Sequence, residues 1–245
     1  MNKILINNAL IDEITTKIST NSTDAYSYIK RVFLHQDPAT DVNMKIQLTI
    51  LYCVAISIYK RDYTKAIQIL HKTLLDNKYI QKDYLLNGKI YYRLGIFNHH
   101  IGNYLESFKN YNIAIESFRK LEQDNKEAEL LSATCLQNLG ILHRINNFEE
   151  FDPKNIEIAK KIYQKYNQYS GIASCYDLYA AYYGNLNKHQ KANEYLIKSL
   201  NVSKKHGTIH TLAICYNNLA TSFAELNQFD KAFEYHKESY KIRKK

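Results

Sequence analysis

A handful of histidines, cysteines and carboxylates fall at spacings that could do chemistry. His206 and His210 stand four apart, the interval that puts two imidazoles on one helical face, where they could share a metal. Gly207 lies between them at a turn signal, so two surface histidines are expected instead. His99 and His100 are adjacent, and neighbours on a helix point apart. Glu149, Glu150 and Asp152 form an acidic cluster, expected to be a solvated loop rather than a cation site. Cys135, Cys175 and Cys215 recur at one constant interval, with Cys53 as the fourth cysteine. A disulfide needs Cα atoms within about 7 Å, whereas packed helices lie roughly 8–10 Å apart. Equivalent positions in successive units therefore suit small buried packing better than a bridge. No phosphate-binding glycine loop, H-E-x-x-H or C-x-x-C motif occurs, and no nucleophile stands at a spacing that supplies it with a base. We expect no catalytic residue, no metal and no cofactor, so the chain reads as non-enzymatic.

The cysteine interval is part of a longer phrase. Cys135-Leu136, Cys175-Tyr176 and Cys215-Tyr216 are followed by Asn138-Leu139-Gly140, Leu178-Tyr179-Ala180 and Asn218-Leu219-Ala220. Self-similarity at a fixed period of this size marks a stacked repeat protein. Small or medium anchors at Val54, Gly95, Gly140, Ala180 and Ala220 keep nearly the same step, with one longer gap between Gly95 and Gly140. Leu212, Cys215, Tyr216, Leu219, Ala220 and Phe223 follow a helical stripe. Only 2 Pro and 7 Gly in 245 residues, with 45% apolar content, suit long helices with a continuous core. Positions 41–245 read as five repeats of about 40 residues each. Positions 1–40 read as a helical pair, about 3–20 and 24–36, capped at Ser22 or Asp24, forming a cap or degenerate repeat. The longer gap places an insertion at 149–153, with Asp152 and Pro153 at the N-cap and first helical position. The N-terminal stretch lacks the pattern of a secretory signal, and no window reaches the ~18 apolar residues of a membrane span. A cytoplasmic protein is expected.

One unit reads Tyr91, Leu94, Gly95, Gly102, Tyr104, Ser107, Tyr111 and Ala114. Two others read Tyr176, Tyr179, Ala180, Tyr183, Ala192, Leu196 and Ser199, then Tyr216, Leu219, Ala220, Phe223, Phe229, Ala232 and Ser239. This order resembles the tetratricopeptide repeat. The resemblance implies an all-α, right-handed α-solenoid of about five helix pairs with an N-terminal helical pair. The long period resembles that of the sensing domains of Gram-positive peptide-pheromone receptors of the Rap, PlcR and NprR group. In such proteins the first helix of each pair lines a concave groove. Carried onto this chain, the groove residues are Lys89, Tyr92 and His99, then Gln137, Asn138 and Arg144, then Asp177 and Asn185, then Asn217 and Thr221. Asn138 and Asn217 are the amides placed to hold a peptide backbone. The carboxylate clamp of chaperone-binding relatives needs Lys and Asn where this chain has Tyr92 and Ile96, or Gln137 and Ile141.

The net charge is +9, with lysines gathered in the second helices of the later repeats. Interspersed Glu194, Asp230, Glu234 and Glu238 dilute that charge, so nucleic acid is not the expected partner. The expected function is a protein- or peptide-binding scaffold, a regulatory sensor that takes a short peptide or partner segment in its groove. The alternative is a constitutive adaptor, or the oligomerising sensor region of a larger regulator. In that case a second copy or a further domain docks at the C-terminal end.

Overall fold

The computed structural model describes residues 3–121, 125–146, 152–207 and 209–244. Among these residues every extended element is α-helical, apart from a short 3₁₀ turn at Lys78–Gln81 and one isolated bridge of Ile4 with Gln36. Two compact units divide the chain, residues 1–128 and 129–245.

In the first unit lie α1 (Asn8–Ser19), α2 (Ala25–Leu34), α3 (Val42–Lys60), α4 (Tyr63–Asp76), α5 (Tyr84–His100) and α6 (Tyr104–Arg119). Their starts are written in the sequence. Asn7, Asp41, Asp62 and Asp83 each accept hydrogen bonds from backbone N–H groups of the first turn that follows. Asp24 precedes α2 but makes no such bond, its carboxylate turning instead to Ser22 and to Lys17. The first helix begins at Asn8 rather than near position 3, because the chain before it is extended. Ile4 N–H donates to His35 O at 2.8 Å, and Ile4 O accepts from Asp37 N–H at 2.7 Å. The core gathers Ile14, Ile29, Leu48, Ile56, Leu70, Ile90, Leu94 and Phe97, all essentially buried. By length and composition α3 could cross a bilayer, which the sequence reading did not see. Ile46, Leu48, Cys53, Ala55 and Ile56 on that helix are buried in this core instead.

Close packing within a pair explains the small anchors. A methyl group on Gly95 would lie 2.5 Å from a ring carbon of Tyr111 on α6. Ser107 Oγ donates to Gly95 O at 2.7 Å in the same contact. The small residue lets the tyrosine fill the gap, and the serine satisfies a carbonyl in a dry environment.

The second unit holds the remainder of α7 (Lys126–Asn146), then α8 (Lys154–Lys165), α9 (Tyr169–Asn185), α10 (His189–His206), α11 (Ile209–Glu225) and α12 (Phe229–Arg243). Lys154 N–H donates to Asp152 Oδ1 at 2.8 Å, so α8 opens one position after the expected start, behind Pro153. Positions 149–151 of the expected insertion lie outside the described residues. In this unit α9 packs on α10 and α11 on α12. The repeated aromatics stack across each pair. Tyr183 lies parallel to Tyr195 at 5.4 Å. One repeat later, Phe223 lies parallel to Tyr235 at 5.3 Å. Ser239 Oγ donates to Ala213 O at 2.8 Å, repeating the serine device.

The turns carry the period too. Arg61, Gly102, Asn187 and Asn227 each close the first helix of a pair with positive φ, at 56°, 78°, 57° and 58°. Three of these four are glycine or asparagine, the residues that enter the left-handed region at least cost.

Candidate binding site

In the first unit the expected residues Lys89, Tyr92 and His99 sit on α5 and are all partly buried. Lys89 Nζ meets Glu127 Oε1 at 2.8 Å. Tyr92 lies beside Tyr111, with ring centroids 6.5 Å apart. His99 turns edge-on to Tyr104 at 5.7 Å, while His100 stacks on Tyr63 at 4.7 Å, so the adjacent imidazoles do take different partners. Burial and the neighbouring His100 push the His99 pKa down.

A cavity of about 350 Å³ opens between α3 and α5. Val54, Ile58, Ile96 and Phe97 line it, together with Ser57, Arg61, Tyr63, Arg93 and His100. Arg93 is the residue that the sequence reading missed. It occupies the stripe Leu86, Ile90, Arg93, Phe97, where its three companions are buried. A cation at i+7 of an apolar stripe was a legible signal. Desolvation lowers its pKa, with Tyr92 and Tyr111 opposing, and its guanidinium carbon lies 5.2 Å from the Tyr92 ring centroid.

In the second unit, Gln137 Oε1 accepts from the Tyr163 hydroxyl of α8 at 3.0 Å. The sequence treats Gln137 as free for a ligand, whereas its own helix pair already uses one of its atoms. Asn138 and Asn217 are partly buried, and Arg144, Asn185 and Thr221 are exposed. Thr221 Oγ1 donates to Asn217 O at 3.1 Å, which leaves the Asn217 amide uninvolved in that bond. Asp177 is the most perturbed of the set. Its Oδ1 is sealed from solvent with no hydrogen-bond partner. Burial pushes its pKa up to about 6, against a hydrogen bond with Ser199 of α10 and the charge of Arg144.

Other candidates resolve as structure. His206 is exposed and stacks on Tyr169 at 3.6 Å. The His210 side chain lies outside what is described. Among the described residues no cluster of three His, Cys, Asp or Glu could hold a metal. All four cysteines are buried and unbridged. Burial raises every thiol, Cys53 and Cys175 to about 12. Lysines of the second helices rest on tyrosine faces. Lys191 Nζ lies 4.2 Å from the Tyr183 ring centroid and Lys198 Nζ lies 4.6 Å from that of Tyr195. Lys160 pairs with Glu157 at 2.7 Å, and Lys165 with Glu129 at 2.9 Å. Those cations are engaged locally rather than presented as a bare ridge.

Paired helices, small anchors and left-handed turns at a regular period define a helix-pair repeat protein of all-α solenoid class. Residues 172–245 match the model of the tetratricopeptide repeat family, and the chain resembles tetratricopeptide-repeat proteins. No curated protein sequence matches it significantly. Similar solved structures include BtubC from P. vanneervenii, with 18% identity and a TM-score of 0.70 over 94% of this chain and 91% of that one. A Rap protein complexed with Competence and Sporulation Factor has 16% identity and a TM-score of 0.70 over 95% of this chain. The quorum sensor NprR from B. thuringiensis has 14% identity and a TM-score of 0.67 over 96% of this chain. The chain spans 64% of the length of the Rap and NprR structures. At these identities the likeness is one of fold.

Proposed function

We propose that this protein is a non-enzymatic, cytoplasmic sensor that binds a short peptide or extended protein segment along the first helices of its repeats. The observation that carries this reading is the polar row on α7, α9 and α11, where Asn138 and Asn217 are partly buried and Arg144, Asn185 and Thr221 are exposed. The recognising residues are, in the first unit, Lys89, Tyr92 and His99 on α5 and, in the second unit, Gln137, Asn138, Arg144, Asp177, Asn185, Asn217 and Thr221 on α7, α9 and α11. Amides among them can donate and accept at once, as a peptide backbone requires. The fold likeness to a Rap protein complexed with Competence and Sporulation Factor and to the quorum sensor NprR supports the same reading. Thermal denaturation with candidate peptides tests it. A ligand at 100 times its Kd adds about 2.7 kcal/mol of stability, and an Asp177→Asn, Asn217→Ala variant should lose that gain. Equal stabilisation of variant and wild type would sink the assignment.

A second surface supports self-association. On α12, Phe229, Phe233 and Tyr240 are about two-thirds exposed and share one face. We assign this face to a homodimer contact. Phe233→Glu should convert a dimer to a monomer in sedimentation velocity, and an unchanged mass for a dimeric wild type would remove the assignment.

A further inference from the structure

We propose that two copies of this chain pair through α12 laid antiparallel on itself, with Asp230 and Glu234 of one protomer facing the partner's Lys241 and the partner's Lys237. This inference rests on the homodimer reading above and adds the orientation of the contact and the charges that set it.

The second unit itself shows what such a face packs against. Ala192 and Ser199 of α10 recur one repeat later as Ala232 and Ser239 of α12, and all four are buried. In the same register Asn193, Leu196 and Leu200 become Phe233, His236 and Tyr240. On α10 those three positions are buried, Leu196 and Leu200 in one apolar cluster with Cys215 and Leu219 of α11. A helix therefore covers this face where it first occurs. On α12 Phe233 and Tyr240 are about two-thirds exposed, and His236 is exposed between them. Phe229, equally exposed, extends the stripe by one turn. Phe229, Phe233, His236 and Tyr240 are spaced by four, three and four, the interval of a seam between two packed helices. Aromatic rings held in water on such a seam gain by burial against a partner helix.

The flanking charges select that helix. Asp230, Glu234, Lys237 and Lys241 each follow a member of the stripe by one position, so they line one side of it, and all four are exposed. The other side is occupied within the chain, where Ser239 Oγ donates to Ala213 O and Tyr235 stacks on Phe223 of α11. On the open side both acids lie in the first half of the helix and both lysines in the second. Asp230 and Lys241 lie symmetrically about the same midpoint as Glu234 and Lys237. A two-fold axis at that midpoint reverses the second helix, so that each acid meets a lysine and each lysine an acid. A parallel pairing would set this side against the one that α11 already covers. Asp230, Glu234 and Lys237 form no ion pair among the described residues, and Lys241 meets Glu238 of its own helix at 2.6 Å. None of the groove residues lies on α12, so partner and peptide do not compete for side chains.

Sedimentation velocity of the full-length chain at low ionic strength tests the arrangement. Glu234→Lys sets lysine against lysine on both sides of the axis, and Lys237→Glu sets acid against acid. Each variant alone should raise the dimer Kd about tenfold, the scale of several exposed ion pairs reversed together. An equimolar mixture of the two variants should regain the wild-type affinity as a heterodimer, because the introduced lysine then meets the introduced glutamate. Recovery on mixing cannot come from a misfolded chain. If neither variant weakens a dimer that Phe233→Glu dissociates, or if mixing restores nothing, the antiparallel pairing is overturned while the homodimer reading stands. A wild type that is monomeric at every concentration, or a dimer indifferent to all three variants, overturns both.

Discussion

Asp177→Asn is expected to make the protein more stable and less able to bind. The carboxyl of Asp177 ordinarily titrates at 3.8, and burial in the second unit moves it up to about 6. The folded chain therefore holds the Asp177 proton more tightly than the unfolded chain does. Below pH 3.8 the group is neutral in both states and costs nothing. Between 3.8 and about 6 the unfolded chain releases its proton first, and stability falls. Above about 6 the whole penalty is present. At 1.36 kcal/mol for each tenfold difference in proton affinity, the gap between 3.8 and about 6 amounts to about 3 kcal/mol. That figure is a ceiling, because part of the side chain still reaches solvent and Arg144 attracts its charge. Asparagine keeps the shape and the bond to Ser199 but never ionises. Scanning calorimetry at pH 8 should show the variant melting roughly 5–10 °C higher, at about 2–4 °C per kcal/mol for a chain of this size. At pH 3.5 the two proteins should melt together. A variant no more stable at pH 8, or stabilised equally at both pH values, would refute the claim that desolvation of this carboxylate is the cause. Stability gained at the expense of binding is the usual mark of a group retained for function.

Gly95→Ala should destabilise the first unit by about 1–3 kcal/mol in urea titrations, because its methyl must displace the Tyr111 ring. Arg61→Gly should stabilise by about 1 kcal/mol in the same assay, relieving a left-handed arginine. The four thiols should resist iodoacetamide at pH 8 in the native protein and react fully in denaturant. Their burial and raised pKa values leave no accessible thiolate.

Much of the fold is legible before any coordinates, and particular residues show why. The recurrence of Cys135, Cys175 and Cys215 reports a helix position that must be small and apolar, and each is buried. Ser107 and Ser239 mark where a second helix bonds a carbonyl of the first. Gly95 marks a close approach, and Asn187 and Asn227 mark the turn that follows a first helix. These are local demands repeated along the chain, so period and residue type suffice to find them. The helical reading of positions 3–7 failed because Ile4 pairs with His35 and Asp37, beyond two intervening helices, and those bonds compete with helix formation there.

The candidate site was less legible. Counting positions along a repeat selects Tyr92, Gln137, Asp177 and Asn217 alike, yet it cannot distinguish their surroundings. The coordinates turn Gln137 to Tyr163, leave an oxygen of Asp177 without a donor, and set Arg93, which the count omits, beside an open cavity. By itself the sequence determined the helices, their pairing and the repeat period, because each follows from hydrophobic spacing and backbone preference within the span of one repeat. Only the tertiary structure decided which polar groups lost water and which found partners. Desolvation depends on atoms from several helices at once, and no single stretch of chain records it.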